Sequence, residues 1–245
     1  MEQYIARLRA INDAAAAKIE EYLDSYWADD FSLYDWNALI QYAYSIATVY
    51  GEAAAALACE FYDLISGKSG GFRRPAEPAE PPSMKDVAKG VRGTGKTGNP
   101  ALITDSVTRL VKRTAVDTTI KNAMRDGAEI AWIPSGDSCA FCLMLASNGW
   151  QNASQKTVRS GILHDNHAKH IHANCDCTYA VRFDGKSSVA GYDPSKYQRI
   201  YEDAAGSTWQ EKLNSMRAEQ DAENRSEINA QKRAAYAARV EREAN

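Results

Sequence analysis

Apolar residues recur every three or four positions along the first quarter of the chain, and this spacing predicts helices. One apolar stripe runs from Ile5 to Tyr26, and the opposite face of that segment is charged. A second stripe begins after Ser32 and Asp35, whose separation is typical of a pair that caps a helix N-terminus. Because only a short connection separates the two stripes, we predict a helical hairpin over residues 1–66.

The composition changes after residue 66, where glycine and proline replace the apolar stripe. Four of the seven prolines lie between Pro75 and Pro82. A segment of this composition does not form a packed core. We therefore predict that residues 67–99 are a Pro/Gly-rich linker or arm that crosses a surface or joins two lobes.

A phosphate-binding pattern lies within this arm, because Gly90–Thr97 reads as Gly, four residues and then Gly-Lys-Thr. Its surroundings argue against a nucleotide site. The preceding residues are largely polar rather than a buried strand, and a Gly-Asn-Pro sequence interrupts the helix that must follow such a loop. We predict instead a flexible basic loop, in which Lys89, Arg92 and Lys96 contact phosphate or an acidic partner.

Helical spacing resumes at Pro100, a residue that suits a first helical turn, and continues to Gly127. This pattern predicts one long helix. Its basic residues Arg109, Lys112 and Arg113 form a patch that we interpret as a solvated face.

Two short segments rich in β-branched and aromatic residues, 128–134 and 178–183, predict a pair of strands. They bracket a short helical pattern at Cys139–Ala146, so we predict a small sheet whose strand ends carry the intervening residues. Beyond residue 190 the chain is helical and increasingly charged. We expect 191–245 to be a charged C-terminal helix that is exposed, partly disordered or completed by a partner chain.

Four of the five cysteines and all four histidines lie between Asp137 and Cys177. A Cys-x-x-Cys turn aims two thiolates at one point, and a second cluster adds imidazole and thiol donors, which together suit tetrahedral zinc. The predicted ligands are Cys139, Cys142 and His172, with Cys175 and Cys177 competing for the fourth position.

Other interpretations of these thiols stay open. In an oxidising compartment the same cysteines would form two disulfides, and without metal they would be unliganded thiols with a local structural role. A nucleophilic cysteine with a histidine base is a further alternative. The remaining cysteine, Cys59, lies in the second predicted helix, where we expect a small core residue.

Charge and hydropathy limit the classes of partner. The formal net charge of −3 and the pI near 5.9 give no reason to expect a general nucleic-acid coat. No apolar run is long enough to cross a bilayer, so we expect no membrane.

The predicted fold class is α+β, mostly α. An N-terminal helical hairpin and long helices accompany a small sheet stapled by a Cys/His cluster of the zinc type. The predicted segments of the 245 residues are 1–66, 67–99, 100–190 and 191–245.

The region from Pro100 to Phe183 combines a long helix, a strand with Trp132 and three motifs. The motifs are Gly136-Asp137-Ser138-Cys139-Ala140-Phe141-Cys142, Leu145-Ala146-Ser147-Asn148-Gly149 and His172-Ala173-Asn174-Cys175-Asp176-Cys177. This order resembles that of phage minor head proteins of the Mu F-like group, with the closest resemblance to the actinobacteriophage type. The H-x-x-C-x-C ending is its most specific signature.

The resemblance implies a virion component that is structural rather than an enzyme. It implies a role near the portal, in head morphogenesis and in genome packaging or ejection. The expected partners are the portal protein and the major capsid or scaffold proteins, met in the host cytoplasm during assembly and in the finished virion. Packaged DNA is a further expected partner, through the basic residues Arg73, Arg74, Lys89, Arg92 and Lys96.

The histidine run motivates an alternative. His164, His167 and His170 beside a cysteine-held zinc would suit a nuclease of the HNH type, in which one histidine activates water and others bind a second metal. An unrelated zinc-stabilised binding module is the third hypothesis. A metal-dependent activity lost on mutating His164 and His167 would favour the nuclease, and stable association with a portal ring would favour the head protein.

Overall fold

The computed structural model describes residues 1–27, 31–68, 74–135, 138–154 and 177–225. It confirms the predicted fold class, because the chain is mostly helical with a small three-stranded antiparallel sheet. The chain forms two compact units, Met1–Gly136 with Trp150–Tyr192, and Asp137–Gly149 with Asp193–Asn245. Packing within each unit joins stretches that are distant in the chain.

Most helices and strands follow the order that the sequence pattern predicts. In chain order the described elements are α1 (Glu2–Tyr26), α2 (Leu33–Lys68), α3 (Met84–Gly95), α4 (Ala101–Asp126), β1 (Glu129–Ile133), α5 (Ala140–Ala146), β2 (Gln151–Asn152), β3 (Thr178–Arg182), α6 (Pro194–Asp203) and α7 (209–225). The strand β2 was not predicted, because two residues are too few to show an alternating pattern. No helix within the described ranges has both the length and the apolar character needed to cross a membrane.

The first unit begins with the predicted helical hairpin of α1 and α2. The two helices run antiparallel. At one end of the pair the ring of Tyr4 stacks on that of Phe61, with centroids 4.4 Å apart. Towards the other end the hydroxyl of Tyr42 donates to the carbonyl oxygen of Lys18 at 3.2 Å.

Ser32 and Asp35 cap the start of α2 as predicted. The amide of Ser32 donates to the carboxylate of Asp35 at 2.9 Å, and the amide of Asp35 donates back to the hydroxyl of Ser32 at 3.2 Å. These bonds satisfy N–H groups that have no acceptor within the helix. The pair thereby determines where α2 begins and which side chains its first turn exposes.

The long helix α4 contacts α1, α2 and α3. It ends at Gly127, whose φ of 63° is a left-handed conformation that glycine adopts without strain. More than half of its 26 residues are buried. Four of the five buried threonines of α4 satisfy their hydroxyls by donating to carbonyl oxygens one turn earlier in the helix, namely Thr108, Thr114, Thr118 and Thr119.

The basic patch of α4 is not a solvated face, so that prediction is wrong. Lys112 is only 1% exposed, and Arg109 and Arg113 are half-buried. Burial, together with the nearby charge of Arg113, lowers the pKa of Arg109. Because three helices pack around α4, they cover positions that a helix with one apolar stripe would leave in water.

Residues 74–83 form an extended segment along α4, which we call the strap. The side-chain oxygen of Asn122 accepts from the amide of Glu77 at 2.8 Å, and its side-chain nitrogen donates to the carbonyl oxygen of Glu77 at 2.8 Å. The hydroxyl of Thr118 accepts from the amide of Ala79 at 3.0 Å. The proline-rich arm therefore crosses a helix surface, as expected, and side chains of α4 replace the backbone partners that it lacks.

The second part of the predicted arm is helical, which corrects the flexible loop expected over Gly90–Thr97. The helix α3 begins at Ser83, whose hydroxyl accepts from the amide of Asp86 at 3.1 Å. Its side chains Val87 and Val91 are completely buried in the core shared by α1, α2 and α4. Burial of this apolar edge stabilises a helix that the glycine content alone disfavours.

The sheet has the strand order β2-β1-β3, with antiparallel pairing throughout. Trp132 faces Tyr179 across the predicted pair of strands, with ring centroids 4.8 Å apart. At the other end of the pair, Arg182 donates to Glu129 at 2.6 Å, and its guanidinium carbon lies 4.5 Å from the centroid of the Trp150 ring. These contacts fix the register of the sheet from both ends.

The second unit consists of α5, α6 and α7. Gln220 of α7 holds the start of α5, because its side chain accepts from the amide of Ala140 at 2.7 Å and donates to the carbonyl oxygen of Ser138 at 2.9 Å. Leu213 and Met216 are buried in the apolar cluster of this unit. The C-terminal region thus contains at least two helices rather than one, and residues 226–245 lie outside the described ranges.

Candidate functional site

Two of the predicted metal ligands lie at the start of α5, in the second unit. Cys139 occupies the N-cap position, and its side chain does not cap the helix. Cys142 lies three residues further on and is buried. Thiolates at a helix N-terminus are stabilised by its dipole and its N–H groups. Both side chains are thiols, which is one of the donor types that bind zinc in proteins.

The other predicted ligands belong to the stretch before β3. Cys177 directly precedes β3 in the first unit and is completely buried. His172 and Cys175 lie outside the described residues, as do the three histidines of the nuclease hypothesis. Within the part of the chain that the structure describes, no three His, Cys, Asp or Glu side chains are grouped to hold a metal ion. The zinc site stays a prediction.

The structure aligns three of the predicted contact residues on one helix face. Lys85, Lys89, Arg92 and Lys96 follow one another at intervals of four, three and four residues, which places them on a single side of α3. All four are exposed. We call these residues the basic face of α3. Lys85 is an addition to the predicted set, because only a helical conformation aligns it with the other three.

Of the two remaining predicted contacts, only Arg74 lies within the described residues, and it does not join this face. Arg73 lies outside the described residues. Arg74 begins the strap, where its carbonyl oxygen accepts from Arg125 at the end of α4. The middle of α3 instead packs on Ser106, near the start of α4. At a rise of roughly 1.5 Å per residue, Ser106 and Arg125 are about 28 Å apart along the helix.

The glycines of the phosphate-binding pattern serve helix packing. A side chain at Gly90 would collide with the hydroxyl of Ser106, and one at Gly95 would collide with the indole ring of Trp36. Both positions lie within α3, whose amide groups bond within the helix instead of forming a loop that cradles phosphate. This finding agrees with the interpretation that the pattern is not a nucleotide site.

An exposed aromatic residue that was not predicted lies one helical turn from a residue that contacts the basic face of α3. The guanidinium of Arg92 donates to the side-chain oxygen of Asn37 on α2 at 3.2 Å. Asn37 follows Tyr34 by one helical turn, and the side chain of Tyr34 is 80% exposed. The capping pair at Ser32 is the sequence signal that could have placed Tyr34 on this turn. Its proximity to α3 depends on tertiary packing.

The basic side chains of the α3 face differ from other basic side chains of the first unit, because they form no ion pair with a described carboxylate. Several of those cations form ion pairs with carboxylates, namely Arg7–Glu60 at 2.7 Å, Lys18–Glu21 at 2.9 Å, Arg113–Asp117 at 3.1 Å, Lys121–Glu77 at 3.5 Å and Arg182–Glu129 at 2.6 Å. Among the described residues, no carboxylate lies within ion-pair distance of the four cations of the basic face. The face therefore presents positive charge that the described part of the chain does not neutralise.

Comparison with known proteins yields a family match. A protein-family model described as VG15 protein matches residues 1–204, which cover both predicted sites. VG15 is a viral gene family, and the match indicates a phage protein. No curated protein and no solved structure matches the chain.

Proposed function

The chain belongs to the VG15 protein family, and from this premise we propose that it is a minor head protein of a tailed phage. In this role it is a structural component without catalytic activity, which acts near the portal in head morphogenesis and in genome packaging or ejection. Its partners are the portal protein and the major capsid or scaffold proteins. It assembles in the host cytoplasm and is retained in the virion.

The proposal rests on the order of helices and strands after residue 100. The long helix α4, the strand β1 with Trp132, the helix α5 with its Cys-x-x-Cys pair and the strand β3 after Cys177 follow one another as in the Mu F-like resemblance. The family match over residues 1–204 includes all of these elements.

The proposed mechanism is mechanical. The buried helix α4 and the strap bonded to it make the first unit rigid. The exposed faces of this unit bind the partner proteins. A zinc ion held by Cys139, Cys142, His172 and either Cys175 or Cys177 would fix both ends of the long intervening segment. Such a site would supply stability that a sheet of this size cannot build from apolar burial alone.

Mass spectrometry of purified procapsids and virions of the encoding phage tests the proposal. The chain is expected in both particles at low copy number, with chemical cross-links to the portal protein. The major capsid protein is the positive control, and a phage enzyme expressed at the same time but not packaged is the negative control. Absence of the chain from both particles would refute the proposal.

A further inference from the structure

We propose that the basic face of α3, together with Tyr34 of α2, binds the phosphate backbone of double-stranded DNA without reading its sequence. The inference rests on the proposed function for where such DNA is met, namely inside the head. The binding itself follows from the described surface of the first unit.

The length of the face suits a nucleic-acid backbone. Lys85 and Lys96 are separated by eleven residues, or about 16 Å along α3. One strand of duplex DNA presents a phosphate roughly every 3.4 Å along the axis, so this distance corresponds to about five phosphates. Four cations spread over that length can each neutralise one phosphate.

The arrangement of the charges indicates that the basic face binds an external anion and does not only contact water. Neighbouring cations on the face are three or four residues apart, and like charges at this spacing repel one another within a helix. The helix dipole accounts for Arg92 and Lys96 near the C-terminus of α3, but it disfavours Lys85 in the first turn. A row of phosphates would relieve the repulsion along the whole face.

Hydroxyl groups at helix starts hold the two carboxylates that lie next to residues of this surface. Asp86, which is adjacent to Lys85, bonds to Ser83 at 2.8 Å, and Asp35, which is adjacent to Tyr34, bonds to Ser32 at 2.6 Å. The exposed residues of α2 beside Arg92 are uncharged. Hydroxyl and amide side chains such as those of Tyr34 and Asn37 are common donors to DNA phosphates.

The experiment measures binding of the purified full chain to two blunt-ended 30-base-pair duplexes of unrelated sequence, by fluorescence anisotropy between 50 and 200 mM salt. If four phosphates are neutralised, the slope of log K against log salt is about −3.6, and affinity falls about 150-fold over this range. Both duplexes are expected to bind equally.

A matched pair of double variants locates the binding surface. Lys89→Gln with Arg92→Gln removes two charges of the basic face and is expected to halve the slope and to weaken binding about 60-fold at 0.1 M salt. Lys196→Gln with Arg199→Gln removes two exposed charges at the same three-residue spacing on α6 and is expected to change affinity less than twofold. Circular dichroism checks that both variants are folded.

A separate variant tests the contribution of Tyr34 to binding. Tyr34→Ala is expected to weaken binding severalfold at an unchanged salt slope, because the residue carries no charge. An unchanged affinity would remove Tyr34 from the surface.

Three results would overturn the proposal: no binding of the wild-type chain at 50 mM salt, a preference for one duplex, or equal losses in the two double variants. The first would point to an acidic protein as the partner of the face. Incorporation of the Lys89→Gln, Arg92→Gln variant into virions is a separate measurement. It tests the head-protein role without depending on DNA binding.

Discussion

Replacement of Asn122 by alanine tests whether the strap contributes to the stability of the first unit. Asn122 is completely buried, and its side chain forms both of the short hydrogen bonds to the backbone of Glu77. Truncation removes these bonds, together with the bond that the side-chain nitrogen donates to the carbonyl oxygen of Thr118 at 2.8 Å. It leaves the partly buried amide and carbonyl groups of Glu77 without protein partners. Because the strap lies at the surface, water partly replaces the lost bonds.

The expected loss follows from these two bonds. A hydrogen bond contributes about 0.5–1.5 kcal/mol net, and a partner stranded away from water costs about 1–3 kcal/mol. With partial solvation, Asn122→Ala is expected to lower the free energy of unfolding by about 2–3 kcal/mol. For a chain of this size that corresponds to a decrease in melting temperature of roughly 5–10 °C.

Urea denaturation followed by circular dichroism measures the loss, and amide hydrogen exchange locates it. Exchange at Glu77 is expected to accelerate in Asn122→Ala. The control is Lys121→Ala, which removes an exposed bond to the carbonyl oxygen of Pro78 at 3.0 Å and is expected to cost less than about 1 kcal/mol. Equal stability of the two variants, or unchanged exchange at Glu77, would refute the reasoning.

Three further predictions concern packing, pH and metal. Gly95→Ala is expected to lower the free energy of unfolding by about 1–3 kcal/mol through collision with the indole ring of Trp36, whereas Gly93→Ala, which meets open space in the same helix, raises it by about 0.5–1 kcal/mol in urea denaturation. Burial raises the pKa of Tyr4 to about 12, so the folded chain holds the phenolic proton more tightly than the unfolded chain does. The associated stability is present below pH 10 and is lost as the pH rises through about 12, by about 2–3 kcal/mol, and Tyr4→Phe removes this part of the measured pH dependence. Protein purified without chelator is expected to contain stoichiometric zinc by emission spectrometry, and a strong chelator lowers its melting temperature.

Each of these has a contrary outcome. Equal effects of Gly95→Ala and Gly93→Ala would contradict the packing of α3 on α2. An identical alkaline loss of stability in wild type and Tyr4→Phe would show that Tyr4 does not carry it. Absence of zinc, with no effect of chelator, would remove the zinc prediction and leave the family assignment unaffected.

Local features of the sequence were sufficient to predict most elements. Apolar spacing and end signals such as the Ser32–Asp35 pair and Gly127 act within one or two helical turns, so the positions of α1, α2 and α4 follow from short stretches alone. The two longer strands were predicted for the same reason.

The candidate site was predicted only in part. Lys89, Arg92 and Lys96 were identified as basic residues near a glycine pattern, but their common face required a helix that the glycines argue against. The opposite edge of α3 decided its conformation, because Val87 and Val91 are buried in the core. Tyr34 was missed, since nothing near it in the sequence indicates that α3 lies alongside.

The sequence by itself determined where helices and strands form, because hydrogen bonding and capping are local. Only the tertiary structure decided which helix faces are exposed to solvent. It buries Lys112 on a helix enclosed from three sides, bonds the strap to Asn122 and leaves the basic face of α3 in solvent. Burial is the sum of contacts with distant parts of the chain, and no short stretch encodes which neighbours it will meet.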